Sequence, residues 1–194
     1  MPIQTPPQTP ATPPERRGLH LPHIGWRSLK TAGTASLLAL IYLLFDRNPA
    51  FACIGVVFGM GSDLESSRLH GGNRLFGTLI GGLLSIVLFR IYLFFYPQGG
   101  HSVMLAILLF FGILALILLC QRFWVGAVQP GGVVLCIVLF STPVDTYVSY
   151  ALNRIFDTGV GVAAAILVNI LLSREHLDAW DAKAREILQD LHLG

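Results

Sequence analysis

The sequence predicts an all-α integral membrane protein, and three observations lead there. Only 12% of the 194 residues are charged while 54% are hydrophobic, with a mean hydropathy of +0.66; a soluble domain carries about a quarter charged residues. The apolar residues are gathered into long runs, and residues 28–45, 75–96, 103–120 and 125–142 contain no charges except Lys30 and Arg90. Such runs match the roughly 20 residues that a helix needs to cross about 30 Å of hydrocarbon. Finally, one nonapeptide occurs twice, eighty residues apart, as NRLFGTLIG at 73–81 and NRIFDTGVG at 153–161, with five positions identical.

Residues 1–25 hold seven of the eleven prolines and no apolar run. They read as a disordered cytoplasmic tail rather than a secretory signal, which needs an apolar stretch after a positive start. A proline-rich docking ligand is the alternative use of such a tail. His20 and His23 flank a proline there and make a poor metal site.

Six membrane segments follow, at about 28–45, 48–61, 74–96, 103–120, 125–142 and 152–172. The second is short, and the sixth opens with Arg154 and Asp157. The fifth contains Pro130 followed by Gly131 and Gly132, where a lost helix hydrogen bond predicts a kink or a break. With a cytoplasmic N-terminus, the inside segments carry Arg16, Arg17, Arg27, Lys30, Arg68, Arg74, Arg122, Arg174, Lys183 and Arg185, against Arg47, Arg90 and Arg154 outside. Ten against three is a positive-inside bias, and an even number of crossings returns both termini to the cytoplasm. Beyond the last segment, Leu177, Trp180, Ala184, Ile187 and Leu191 recur every three or four residues, so 174–192 reads as an amphipathic cytoplasmic helix. Its balanced charges favour contact with another helix, in a homodimer or larger assembly, over adsorption to anionic lipid.

The two copies of the nonapeptide are separated by three segments, so they face opposite ways, and the sequence predicts two inverted three-helix repeats. On a helix, Arg74, Thr78, Gly81 and Ser85 share one face, as do Arg154, Thr158, Gly161, Ala165 and Asn169. Gly77, Gly81, Gly161 and Ala165 are small enough to let helices approach closely, so packing accounts for them. It does not account for two arginines at membrane depth, where ionisable groups face a wet cavity or a counter-charge. Asp157, one turn from Arg154, is the expected partner there, while Asp63 and Glu65 could serve Arg74; these three carboxylates are also the candidates for proton coupling. Two planar guanidiniums suit a carboxylate ligand, so Arg74 and Arg154, with Asn73, Asn153, Thr78 and Thr158 beside them, are the candidate anion path.

The segments IGWRSLKTAGTASLLALI at 24–41, GGNRLFGTLIGGLL at 71–84 and ALNRIFDTGVGVAAAILVN at 151–169 resemble the bacterial aromatic acid exporter family, of the fusaric acid resistance type. The most specific elements are Arg-x-x-Lys-Thr at 27–31, Asn-Arg-x-x-Gly-Thr at 73–78 and Arg-x-x-Asp-Thr-x-x-Gly at 154–161. More distantly the chain is similar to the membrane part of plant aluminium-activated malate channels. The resemblance implies a six-helix unit in the bacterial inner membrane that moves organic, including aromatic, carboxylates, with Arg74 and Arg154 on the anion path. Larger relatives carry a soluble domain or a second membrane unit. A short member with neither is expected to assemble from several copies.

Other chemistries lack a constellation. GWRSLKT at 25–31 has Leu29 where a phosphate loop needs glycine, and the glycines at 71–82 enter a membrane segment with no strand before them. His70 and His101 read as loop residues without ligand-like neighbours, and Cys53, Cys120 and Cys136 as packing residues in apolar runs. The net charge of +2 is distributed by topology and makes no nucleic-acid patch. No enzyme, cofactor or metal is expected. Three functions remain open: a passive or proton-coupled exporter of organic anions, an anion channel on the same scaffold, and a membrane scaffold that recruits partners through its C-terminal helix.

Overall fold

Each expected apolar segment contains an α-helix, with several boundaries displaced. The computed structural model describes residues 25–100 and 102–172, so the proline-rich tail and the 174–192 helix lie outside the described residues. Among the described residues there are six α-helices, α1 (Trp26–Leu44), α2 (Ala50–Gly59), α3 (Leu64–Phe95), α4 (Val103–Phe123), α5 (Val128–Ser141) and α6 (Tyr147–Leu171), with a 3-10 turn at Val125–Ala127 before α5. There is no strand among the described residues. By length and composition, Leu64–Phe95, Val103–Arg122 and Tyr147–Leu171 are long and apolar enough to cross a membrane, whereas Ala50–Gly59 and Val125–Ser141 are shorter apolar helices.

Local chemistry sets several boundaries. The third helix was expected from residue 74, but it starts ten residues earlier because the Asp63 carboxylate accepts a hydrogen bond from the Ser66 amide at 2.8 Å and caps it. Arg74 therefore lies about 15 Å along the helix from its start rather than at its mouth. Likewise α6 begins at Tyr147, which places Arg154 two turns inside. Ser102 caps α4 through the Met104 amide. Pro130 falls in the first turn of α5, where its missing N–H would have no intrahelical partner. The expected kink or break at Pro130 is therefore absent, and α5 runs on through Gly131 and Gly132 after the 3-10 turn at Val125–Ala127.

Helices α3 and α6 form the centre, running antiparallel with Gly71 against Val162 and Gly82 against Ile155. On one flank α2 packs on α6, and on the other α5 packs on α3; α1 covers α2 and α6, and α4 covers α3 and α5. Small residues make both flanking contacts. A methyl group added at Gly161 would sit 2.9 Å from the Gly55 Cα, and one added at Gly81 would sit 2.6 Å from the Gly131 Cα, so the backbones nearly touch at both crossings. Around them, one apolar cluster joins Phe89, Tyr92, Leu135 and Val138, and another joins Leu38, Val56, Met60 and Ala165.

The helix ends carry polar clusters. At the end holding the α2–α3 turn, Arg27 donates to the Met60 carbonyl through Nε (3.1 Å) and Nη2 (2.8 Å), closing the C-terminus of α2. Beside it the buried Lys30 ammonium donates to Asn169 Oδ1 at 2.7 Å. Asn169 Nδ2 in turn donates to Ser67 Oγ at 2.9 Å, and Ser67 Oγ accepts from the Gly61 amide at 2.7 Å. This chain of bonds ties α1, α3 and α6 together.

Candidate functional site

The two repeated arginines reach the same face of α2. The Arg154 guanidinium carbon lies 3.2 Å from the centroid of the Phe51 ring and 5.2 Å from that of Tyr150, and the Arg74 guanidinium carbon lies 4.8 Å from the centroid of Phe58. Phe51 and Phe58 are seven residues apart, two helical turns, so the cations are offset by about 10 Å along the bundle. Arg154 is only 5% exposed. Both Nε atoms are buried without a hydrogen-bond partner among the described residues.

The counter-charges differ from those expected. Asp157 does not pair with Arg154: its Oδ1 accepts from Arg47 Nη2 at 2.9 Å and from the Tyr42 hydroxyl at 3.1 Å. Arg47 also donates to Asn153 Oδ1 at 3.2 Å and rests 4.9 Å from the Phe156 centroid. The physical reason is geometric, since Phe51 and Tyr150 already hold the Arg154 guanidinium while Arg47 reaches Asp157 from the α1–α2 turn. Nor do Asp63 and Glu65 neutralise Arg74. Asp63 is taken up by the Ser66 amide and the Ser62 hydroxyl, and these bonds hold its carboxyl below the usual carboxylate range. Glu65 is exposed in the first turn of α3.

Beside Arg74 opens a cleft of about 440 Å³, within the size range of small-molecule sites. Phe58 forms its α2 wall, and His70, Asn73 and Arg74 form its α3 wall. Across from them, Gln129, Pro130 and Val133 come from the first turns of α5. No lining residue is acidic. His70, expected in a loop, is on α3 one turn before Arg74, with Nδ1 3.3 Å from Ser66 Oγ. The Trp124 indole N–H makes a short hydrogen bond to Asn73 Oδ1. An indole N–H can only donate, so the Asn73 side-chain nitrogen keeps its two N–H groups available.

The remaining motif residues divide between packing and the cleft. Thr78 is buried and its hydroxyl is spent on the Arg74 carbonyl at 2.9 Å. Thr158, Gly161 and Ala165 are buried on the α6 face toward α2, and Gly77 and Gly81 lie against the start of α5. Arg154, Asn153 and Thr158 do not line the Arg74 cleft. Four residues that sequence reasoning passed over now stand beside the motifs: Phe51, Phe58, Arg47 and Trp124. Only Arg47 carried a signal, a cation within three residues of an apolar run, and it was assigned to topology.

A helical membrane protein whose interior holds two guanidiniums against aromatic rings, with a donor-lined cleft at one of them, is the class defined here. The sequence matches the family described as aromatic acid exporter family member 1 over residues 22–172, and the chain belongs to that family. No curated protein and no solved structure matches it. Membership carries membrane transport of aromatic acids as the function class.

Proposed function

We propose that the chain exports organic carboxylates, aromatic ones among them, across the bacterial inner membrane along a path set by Arg74 and Arg154. One observation carries this reading: both guanidiniums sit inside the bundle with a buried Nε that no group among the described residues satisfies. A buried donor left unsatisfied costs about 1–3 kcal/mol, and an anionic ligand that accepts from the guanidinium removes that cost while it is bound. The two sites lie on consecutive levels, so a carboxylate would pass from the Arg74 cleft to the more enclosed Arg154. In this reading all six helices cross the membrane as two inverted three-helix units. The equivalent contacts of α2 with α6 and α5 with α3, each closed by a small-residue crossing, support it.

The end of the bundle bearing Arg27, Lys30, Arg68 and Arg122 would be cytoplasmic, with both termini. The Arg74 cleft lies toward that end, which fits loading from inside and export. Asp157, buried between Arg47 and Tyr42, is then the carboxylate for proton coupling. A second copy of the chain and membrane lipid are the expected partners, without nucleic acid. The test is uptake of labelled benzoate into proteoliposomes. Arg74→Gln and Arg154→Gln should each lower the rate at least tenfold while the protein remains folded. Unchanged uptake in both variants would remove the arginine path.

A further inference from the structure

Phe58 lies off the packed face of α2. The face of α2 turned to the bundle is Ala52, Gly55, Val56 and Gly59, all buried, whereas Phe58 is 60% exposed and forms a wall of the cleft. Its ring already lies against the Arg74 guanidinium, 4.8 Å from centroid to carbon. Facing it are the apolar Pro130 and Val133, at a separation that leaves a cleft of about 440 Å³. The α3 wall carries His70 and two donor groups, Arg74 and the Asn73 amide, whose oxygen is held by Trp124. The site thus has a cationic end and an aromatic side.

We infer that Phe58 is the specificity-determining residue of this cleft and that it selects a planar aromatic monocarboxylate over an aliphatic one of the same size. The carboxylate takes Arg74 and the Asn73 amide, and the ligand ring lies against the Phe58 face or edge. A saturated ring has the same charge and similar bulk but no π-system, so it loses the aromatic pairing alone. The inference rests on the transport reading above, and it adds the residue that discriminates among carboxylates.

Competition between benzoate and cyclohexanecarboxylate for labelled benzoate, on purified full-length protein, tests it. The native chain should prefer benzoate. Phe58→Leu should shrink the preference about three- to tenfold through weaker benzoate binding, with cyclohexanecarboxylate little changed. Phe58→Trp should retain or widen the preference. Because residue 58 is exposed, both variants should melt near the native temperature. An unchanged preference in Phe58→Leu overturns the inference, as does a native chain that binds the two acids equally or shows no saturable benzoate binding. If binding still depends on Arg74 while the preference ignores residue 58, selectivity by Phe58 falls and the arginine path stands. If Arg74→Gln and Arg154→Gln leave transport intact, the path itself falls.

Discussion

Arg154 and Asp157 sit three residues apart on one helix, yet they answer to different neighbours. Asp157 is neutralised by Arg47 from another element, whereas Arg154 keeps its charge and rests against two aromatic faces. Removing Arg154 therefore leaves no stranded carboxylate. Arg154→Met should raise stability by about 1–3 kcal/mol, because an apolar side chain of similar length replaces a desolvated cation, and should abolish transport. Thermal melting in detergent together with benzoate flux checks both halves; a large loss of stability would mean that Arg154 has an unrecognised structural partner. Arg47→Ala has the opposite expected effect, destabilising by about 1–3 kcal/mol, since Asp157 stays buried with only the Tyr42 hydroxyl as donor. The repeated Asn-Arg motif made the arginines legible in the sequence. Their ring partners were not, because a cation–π contact between helices follows no period in the chain. Local spacing favoured Arg154 as the partner of Asp157, and a residue 110 positions away in sequence took it instead.

Among the elements, α6 packs backbone against backbone on α2 where Gly161 meets Ala52 and Gly55. Overpacking there cannot be relieved by a rotamer change, since the obstructing atoms are backbone. Gly161→Val should destabilise by about 3 kcal/mol or more, and it should also push α2, with Phe51 and Phe58, off the arginines. The paired outcome is lower melting temperature and weaker benzoate binding, and a variant that lost only stability would separate α2 from the site. At the start of α3, Asp63 gives a pH signature. Its folded carboxyl titrates below the unfolded range because the Ser66 amide and Ser62 hydroxyl bond the charged form. The cap's contribution is accordingly complete above about pH 4 and is lost as pH falls through the lowered folded value. Asp63→Asn keeps a capping oxygen but no titrating group, so its melting temperature should match the native one at pH 7 and lack that acid-side decline. The apolar runs and their helical character were readable from the order of apolar residues along the chain. The longer start of α3 was not, because His70, Gly71 and Gly72 interrupt the hydropathy while the cap at Asp63 still nucleates the turn.

Over the whole molecule, the polar groups are sorted by end. Arg27, Lys30, Ser67, His70 and Asn169 cluster at one end, and Tyr42, Arg47, Asn153 and Asp157 at the other, with Arg74 and Arg154 displaced inward from each. In the orientation proposed from the positive-inside asymmetry, the first end is cytoplasmic and the Arg74 cleft is the proposed loading face. Cysteine accessibility can test that assignment without knowledge of the substrate. In a background carrying Cys53→Ala, Cys120→Ala and Cys136→Ala, the variant His70→Cys places an exposed thiol at the cleft wall. A membrane-impermeant maleimide should label it in inside-out vesicles and leave it unmodified in right-side-out ones, and saturating benzoate should slow the reaction. Asn153→Cys, exposed at the opposite end, should show the reverse sidedness and serves as the internal control. Labelling of both from one side would mean that Arg74 and Arg154 enter from the same leaflet. The inverted arrangement, the direction of export and the sequential use of the two arginines would then fail together, because all three require the repeated motif to face opposite sides of the membrane.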